Sequence, residues 1–244
     1  MCKLIVKDIC KSFDGVDIIK DISIEIKSGE LVSLLGVSGG GKTTLFNIIA
    51  GLIMPDSGDV FLDGESILGK PGQISYMLQK DLLLPHKTVV DNVALPLTLS
   101  GVPKKEAREK ASQLFAQFGL EGTEKKYPSQ LSGGMRQRAA LLRTYLCDKK
   151  VALLDEPFSA LDAITRSSVQ DWYLSVMSEI KLSTLFITHD IDEAILLSDR
   201  IYIMKGSPAV IDGELVINTP KPRNHDFMMT EEFLEFKKTI RDML

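Results

Sequence analysis

The 244-residue chain contains three histidines, three cysteines and one tryptophan. It has no apolar run approaching the ~18 residues that a membrane span requires. Cys2, Cys10 and Cys147 are odd in number and lack C-x-x-C spacing, so they read as buried or idle thiols in a reducing compartment. Charge interrupts the first residues, Met1-Cys2-Lys3-Leu4-Ile5-Val6-Lys7, before any signal-peptide core can form. The expected location is therefore the cytoplasm, with membrane association only through a partner protein. A net charge of −4 and a pI near 5.5 exclude a global basic field that would recruit nucleic acid or an anionic membrane, though not a local patch. Repeats, low-complexity tracts and long heptads are also missing.

What is present suits one large α/β domain, or a domain with a lobe. The hydrophobic share of 44% and charged share of 25% are those of an ordinary soluble protein with a substantial core. Residues 2–30 alternate apolar and polar positions with many β-branched side chains, which predicts half-exposed antiparallel strands. Glu30–Leu35 is a continuous apolar strand, and Lys42–Gly51 reads as the helix after it. Asp63-Gly64 is a hairpin turn, and Ile74–Leu78 is a further strand ending at Gln79. From about 88 to 147 the period becomes helical, with Ala107, Ala111, Leu114, Phe115 and Phe118 on one face and Pro85, Pro96 and Pro103 as punctuation. We expect a helical subdomain over about 85–148, inserted into the α/β core. Val151–Leu154 and Thr184–Thr188 are apolar strands with a helix between, from about Ala163 to Ile180. Ile201–Met204 and Val210–Ile217 are strands, and Glu231–Met243 is a final amphipathic helix.

The chemistry concentrates at a few points. Gly36-Val37-Ser38-Gly39-Gly40-Gly41-Lys42-Thr43 fits G-x-x-x-x-G-K-[ST]. Its glycines let backbone N–H groups turn inward on phosphates, while the helix start adds its positive end. Lys42 supplies an ammonium for phosphate oxygens, and the Thr43 hydroxyl is placed for Mg2+, with Thr44 next to it. Asp155 ends an apolar strand at the edge where open α/β sheets hold ligands, so its carboxylate suits Mg2+. Glu156 points elsewhere and is free to take a proton from water. Ser132-Gly133-Gly134 opens a helix, which serves equally as a capped start or as an anion contact. A lone Phe13 would ordinarily be core, and a lone Gln79 or His189 would carry no weight.

Taken together, the loop, the octapeptide Leu131–Arg138, Val151–Pro157, Ser159–Asp162 and His189 resemble the ATP-binding subunit of ABC transporters, in order and separation, over roughly residues 1–220. The resemblance implies a P-loop NTPase fold of the ABC type, with an N-terminal antiparallel β-subdomain and an inserted helical subdomain. Residues 221–244 then form a C-terminal extension with a short helix. It also implies roles. Glu156 is the general base, His189 contacts the γ-phosphate, and Gln79 reaches Mg2+ and the water. Phe13 stacks on adenine. Gly36, Ser38, Gly39, Gly40, Gly41, Lys42, Thr43 and Thr44 bind ATP, and Thr43, Gln79 and Asp155 hold Mg2+. Ser132, Gly133 and Gly134 touch the ATP of a second copy in a head-to-tail dimer. Ser159–Asp162 cross that interface. Val37 and Gly40 stand where the family often has Pro and Ser, which removes no backbone donor. The missing N-K-x-D element agrees with ATP over GTP.

Tyr76–Pro85 with Thr88–Val93 is similar to the nitrate, sulfonate, taurine and thiamine-precursor importer group, although members often have Trp at the position of His86. The partners implied are transmembrane permease subunits and, indirectly, a solute-binding protein, with the chain held peripherally at the cytoplasmic membrane face. No nucleic acid is expected. Leu82, Leu83 and Leu84 either receive a permease helix or pack inside the helical lobe. Two rivals explain less. A non-transport ABC ATPase acting on DNA or ribosomes calls for coiled coils, a tandem cassette or basic surfaces, and a small-molecule P-loop kinase leaves Leu131–Arg138 unexplained.

Overall fold

Strands β1 (Cys2–Phe13) and β2 (Val16–Lys27) pair antiparallel, as the alternation predicts, but with a change of phase. Val6 and Ile9 are both buried three positions apart, as are Ile19 and Ile22. Asp8 and Asp21 take left-handed backbones, φ 50° and 49°, where the pairing register shifts. An extra residue in each strand rotates the following side chains back to the core face. The computed structural model from which the protein is described covers residues 2–244 except positions 38, 160, 181, 222 and 224.

The remaining elements follow in chain order. They are β3 (Leu31–Leu35), α1 (Lys42–Ile49), β4 (Ser57–Leu62), β5 (Glu65–Ser66), β6 (Ser75–Met77), α2 (Val89–Val93), α3 (Leu95–Leu99) and α4 (Lys104–Gln113). After them come α5 (Gly133–Tyr145), β7 (Val151–Asp155), α6 (Ala163–Ile180), β8 (Ser183–Thr188), α7 (Ile191–Leu197), β9 (Arg200–Gly206), β10 (Ala209–Val216) and α8 (Glu231–Met243). Among the described residues ten strands form one sheet in the order β5-β4-β1-β2-β10-β9-β3-β8-β7-β6. Its β9-β3-β8-β7-β6 half is parallel. There β3, β7 and β8 are buried along their whole length, which is why they read as unbroken apolar runs. Pairing Leu35 with Thr188, and Asp155 with Ile187, brings the ends of these strands to a single edge.

Helical periodicity overruns the α-helix in one place. α4 stops at Gln113, and Leu114, Phe115 and Phe118 lie in the turns after it. Leu114 and Phe115 donate to carbonyls only three residues back, and Gly119 at φ 63° ends the turn. Such tightened turns keep Ala107, Ala111, Phe115 and Phe118 on one buried face, so the pattern survives where the helix does not. Among the described residues no helix is long and apolar enough to cross a membrane.

At the other end of the chain, α8 buries Phe233 and Ile240 against α7, and Lys237 Nζ donates to Asp192 Oδ2 at 3.0 Å. The buried Arg223 guanidinium fastens this extension by donating to the carbonyls of Ile195, Ser198, Ile217 and Thr219. Burial pulls its pKa down to about 10. Four acceptors still satisfy the charged form, as a desolvated cation requires.

Candidate active site

The glycine loop owes its shape to two close approaches. A Cβ on Gly36 would stand 2.4 Å from the Met204 carbonyl oxygen, and one on Gly41, at φ 80°, 2.7 Å from Ile19 Cγ2. Only glycine lets the chain leave β3 between β9 and β2 and reverse into α1. Gly39 also has φ 80° and Gly40 N–H donates to Val37 O, while Ser38 lies outside the described residues. No side chain caps α1, so its first N–H groups have no intrahelical or side-chain acceptor and face an anion's position. Lys42 is buried at its start and donates to Gly36 O at 2.8 Å and Val37 O at 2.6 Å. Burial lowers its pKa, and the charges of Glu156 and Asp155 oppose that shift.

Asp155 and Glu156 face different ways because the backbone turns sharply between them. Thr43 Oγ1 donates to Asp155 Oδ2 at 3.2 Å, joining the first turn of α1 to the end of β7. Burial raises the Asp155 pKa, and the Glu156 charge adds to the rise against the Thr43 bond and Lys42. Tyr76 lies beside it, its phenol pushed up by burial and then by the Asp155 charge. Glu156 adopts φ 45°, a left-handed conformation costing a non-glycine residue about 1–3 kcal/mol, and its N–H is held by Ile187 O at 3.1 Å. That strain swings the carboxylate away from Asp155 and between two partners. Gln79 Nε2 donates to Oε2 at 3.0 Å, and His189 Nδ1 stands 3.3 Å from Oε1. A carboxylate held on both sides, at the strand edge, has the placement of a proton acceptor for water.

A cavity of about 450 Å³ opens over the loop, lined by Phe13, Gly39, Lys42, Thr43, Thr44 and Glu156 among others. Phe13 is no core ring: it is 43% exposed at the end of β1, with Lys11 Nζ 5.2 Å from its centroid. Thr43, Asp155 and Gln79 offer the hard oxygen donors that Mg2+ takes. Among the described residues no cluster of three or more His, Cys, Asp or Glu stands ready to hold a metal, so phosphate and water oxygens would have to complete the shell.

Ser132–Gly134 do not line this cavity. Ser132 caps α5, accepting the Met135 N–H at 3.3 Å, and Gly133 lines a neighbouring cavity of about 790 Å³ shared with Gln79, Leu82, Glu156 and His189. Gly134 has a packing reason of its own, since a Cβ there would meet Thr165 Cγ2 of α6 at 2.8 Å. Gly133 has no such neighbour, its nearest being Leu161 Cδ2 at 3.5 Å. Ser159 Oγ donates to Glu156 O at 3.0 Å, whereas Ala160 lies outside the described residues.

The three leucines separate. Leu83 is core at 8% exposure, and Leu82, at φ 45°, stands 53% exposed in the larger cavity. Neither reading of the segment holds for all of it. Sequence reasoning also passed over Arg136 and Arg143. Arg136 Nε donates to Asp81 Oδ2 at 3.3 Å, and Arg143 Nη1 and Nη2 donate to the Leu82 and Asp81 carbonyls. On a helix these arginines look like ordinary solvated charges, and the Asp81–Leu82 acceptors sit more than fifty residues away.

Known proteins resemble this chain over most of its length. The family model for ABC transporters matches residues 19–159. The chain is 42% identical over 231 residues to the formylaminopyrimidine import ATP-binding protein ThiZ of Halalkalibacterium halodurans, covering 93% of this chain and 90% of that protein. It is 38% identical over 232 residues to the nitrate import ATP-binding protein NrtD of Synechocystis, covering 93% and 87%. Among solved structures, the dimeric post-hydrolysis state of the ATP-binding cassette MJ0796 bound to ADP and Pi superposes with a TM-score of 0.76 at 27% identity, covering 89% of this chain and all of that one.

Proposed function

The chain belongs to the ABC transporter family as an ATP-hydrolysing subunit, and from that membership we propose that each copy carries half of two reaction centres completed by a second copy. The observation carrying this reading is the separation just described: Ser132–Gly134 sit outside the cavity of their own glycine loop. Their free backbone suits the ATP of a twin placed head to tail. In this reading the loop, Lys42 and the start of α1 bind the phosphates, and Phe13 stacks on adenine. Thr43, Asp155 and Gln79 hold Mg2+, which offsets phosphate charge when bound. Glu156 takes the proton of the attacking water, Gln79 reaches that water, His189 contacts the γ-phosphate, and Ser159–Asp162 link the two centres.

A composite centre makes turnover depend on concentration. Specific ATPase activity should rise steeply as the chain is concentrated and vanish on dilution, as measured by phosphate release across a dilution series. Full activity from a dilute monomer contradicts the proposal.

We assign the partners as permease subunits and, through them, a solute-binding protein, with the chain on the cytoplasmic membrane face. Import of a small anionic or nitrogen- or sulfur-containing solute is supported by the relatives' names and by Tyr76–Pro85. The helical subdomain, about 85–148, would move against the rest of the 1–220 body, and residues 221–244 would steady α7. Leu82 is the contact we assign to a permease helix. Leu82→Asp should abolish co-purification with the permease while the purified chain stays folded, and undiminished co-purification removes the assignment. Leu83→Asp is the poorer test, because a charge in the core costs several kcal/mol of stability by itself, on the order of 3–5.

A further inference from the structure

Glu193 carries a carboxyl group that the chemistry above leaves without a task. It is 6% exposed, lies in the first turn of α7, and burial raises its pKa. Two donors hold it. Thr188 Oγ1 reaches its Oε2 at 2.6 Å, and Gln170 Nε2 reaches its Oε1 at 2.9 Å. The first comes from the last residue of β8, the second from the first half of α6. The Thr188 hydroxyl also accepts the Asp190 N–H at 3.0 Å, so both neighbours of His189 are tied to one oxygen. Asp190 in turn caps α7 and faces Arg166 Nη1 at 3.6 Å, while Arg166 Nη2 donates to Leu161 O at 3.1 Å. Glu156, Arg166, His189 and Glu193 share the wall of a cavity of about 10 Å³, which has room for at most about one water.

His189 needs such support. Its side chain is 51% exposed, and the closest charged group is Glu156 at 3.3 Å. Little packing fixes the imidazole, so its position follows that of its backbone. We propose that Glu193 is a positioning residue for His189, locking the Thr188–Asp190 turn to α6 so that engagement of Ser159–Asp162 by a second chain sets where the imidazole stands against Glu156. Removing the carboxylate strands the Thr188 hydroxyl and the Gln170 amide and frees the turn. The catalytic half of this inference rests on the roles proposed above for Glu156 and His189. The clamp itself does not.

The test uses the full chain and two readouts. Without added nucleotide, the imidazole resonances are recorded by NMR. With only three histidines, His189→Ala assigns the signal. With Mg2+ and ATP, kcat and KM are measured. Glu193→Ala should shift or broaden the His189 signal while the exposed His86 keeps its own, and kcat should fall about 10- to 100-fold with KM nearly unchanged. Glu193→Gln, which keeps one acceptor, should give an intermediate rate. Adding Gln170→Ala to Glu193→Ala should cost no more, because both changes cut the same link. An unmoved His189 signal overturns the inference, as does a kcat loss matched by equal shifts at His86. If Glu193→Ala does not fold, Glu193→Gln and Gln170→Ala decide the matter on the same two readouts. A parent chain that never hydrolyses ATP sinks the proposed function instead, and the resonance still judges the clamp.

Discussion

Glu156→Gln should slow ATP turnover by about 10²–10⁴-fold while leaving ATP bound, so that two chains remain closed on each other. The substitution keeps the length and shape of the side chain, and its amide oxygen still accepts from Gln79, which now donates at 3.0 Å. Glutamine tolerates the left-handed backbone at this position no worse than glutamate. What disappears is the basic oxygen proposed to receive a proton from water. In the proposed reading, binding and closure draw on the glycine loop and on Ser132–Gly134, none of which changes. Size-exclusion chromatography with ATP and Mg2+ should show a dimer that survives the run, and phosphate release should be nearly silent. A variant that hydrolyses at the parent rate removes Glu156 as the base. One that never dimerises counts against the shared centre itself.

The second large effect is at Lys42. Its ammonium now donates to two carbonyls of its own loop, at 2.8 and 2.6 Å, deep enough that burial lowers its pKa. Those carbonyls and the charges of Asp155 and Glu156 favour its cationic form, so a phosphate would meet a group already set to carry charge. Exchanging carbonyl acceptors for phosphate oxygens makes stronger, charge-assisted bonds. Lys42→Ala forfeits them at about 1.5–3 kcal/mol each. The dissociation constant for ATP should then rise on the order of 10²–10⁴-fold, read by titration with a fluorescent ATP analogue. Unchanged affinity would mean that the backbone N–H groups alone carry binding. Together the two variants separate holding the nucleotide from cleaving it.

Much of this architecture was legible because it depends on short-range rules. The glycines at 36, 39 and 41 mark a loop that only glycine can follow, and two of them are explained by contacts under 3 Å that a side chain would violate. The bounds of α6 and α8 agree with the sequence reading, and Ser132 caps α5 as its residue type suggests. Legibility ended where distant segments decide. The phase change at Asp8 and Asp21 needs both strands at once, and the end of α4 depends on how Phe115 and Phe118 turn into the lobe. Leu82 and Leu83 are identical in composition, and only a left-handed backbone sends one outward and the other in. Glu193 carries no motif signal at all, and its partners lie on β8 and α6.

Arg136 and Arg143 stand two turns apart on α5, roughly 10 Å along its axis, and both grip the Asp81–Leu82 segment. The segment and the helix are therefore tied together at two points. If a membrane partner does press on Leu82, as proposed, these two guanidinium groups would pass its displacement along α5 toward Ser132–Gly134.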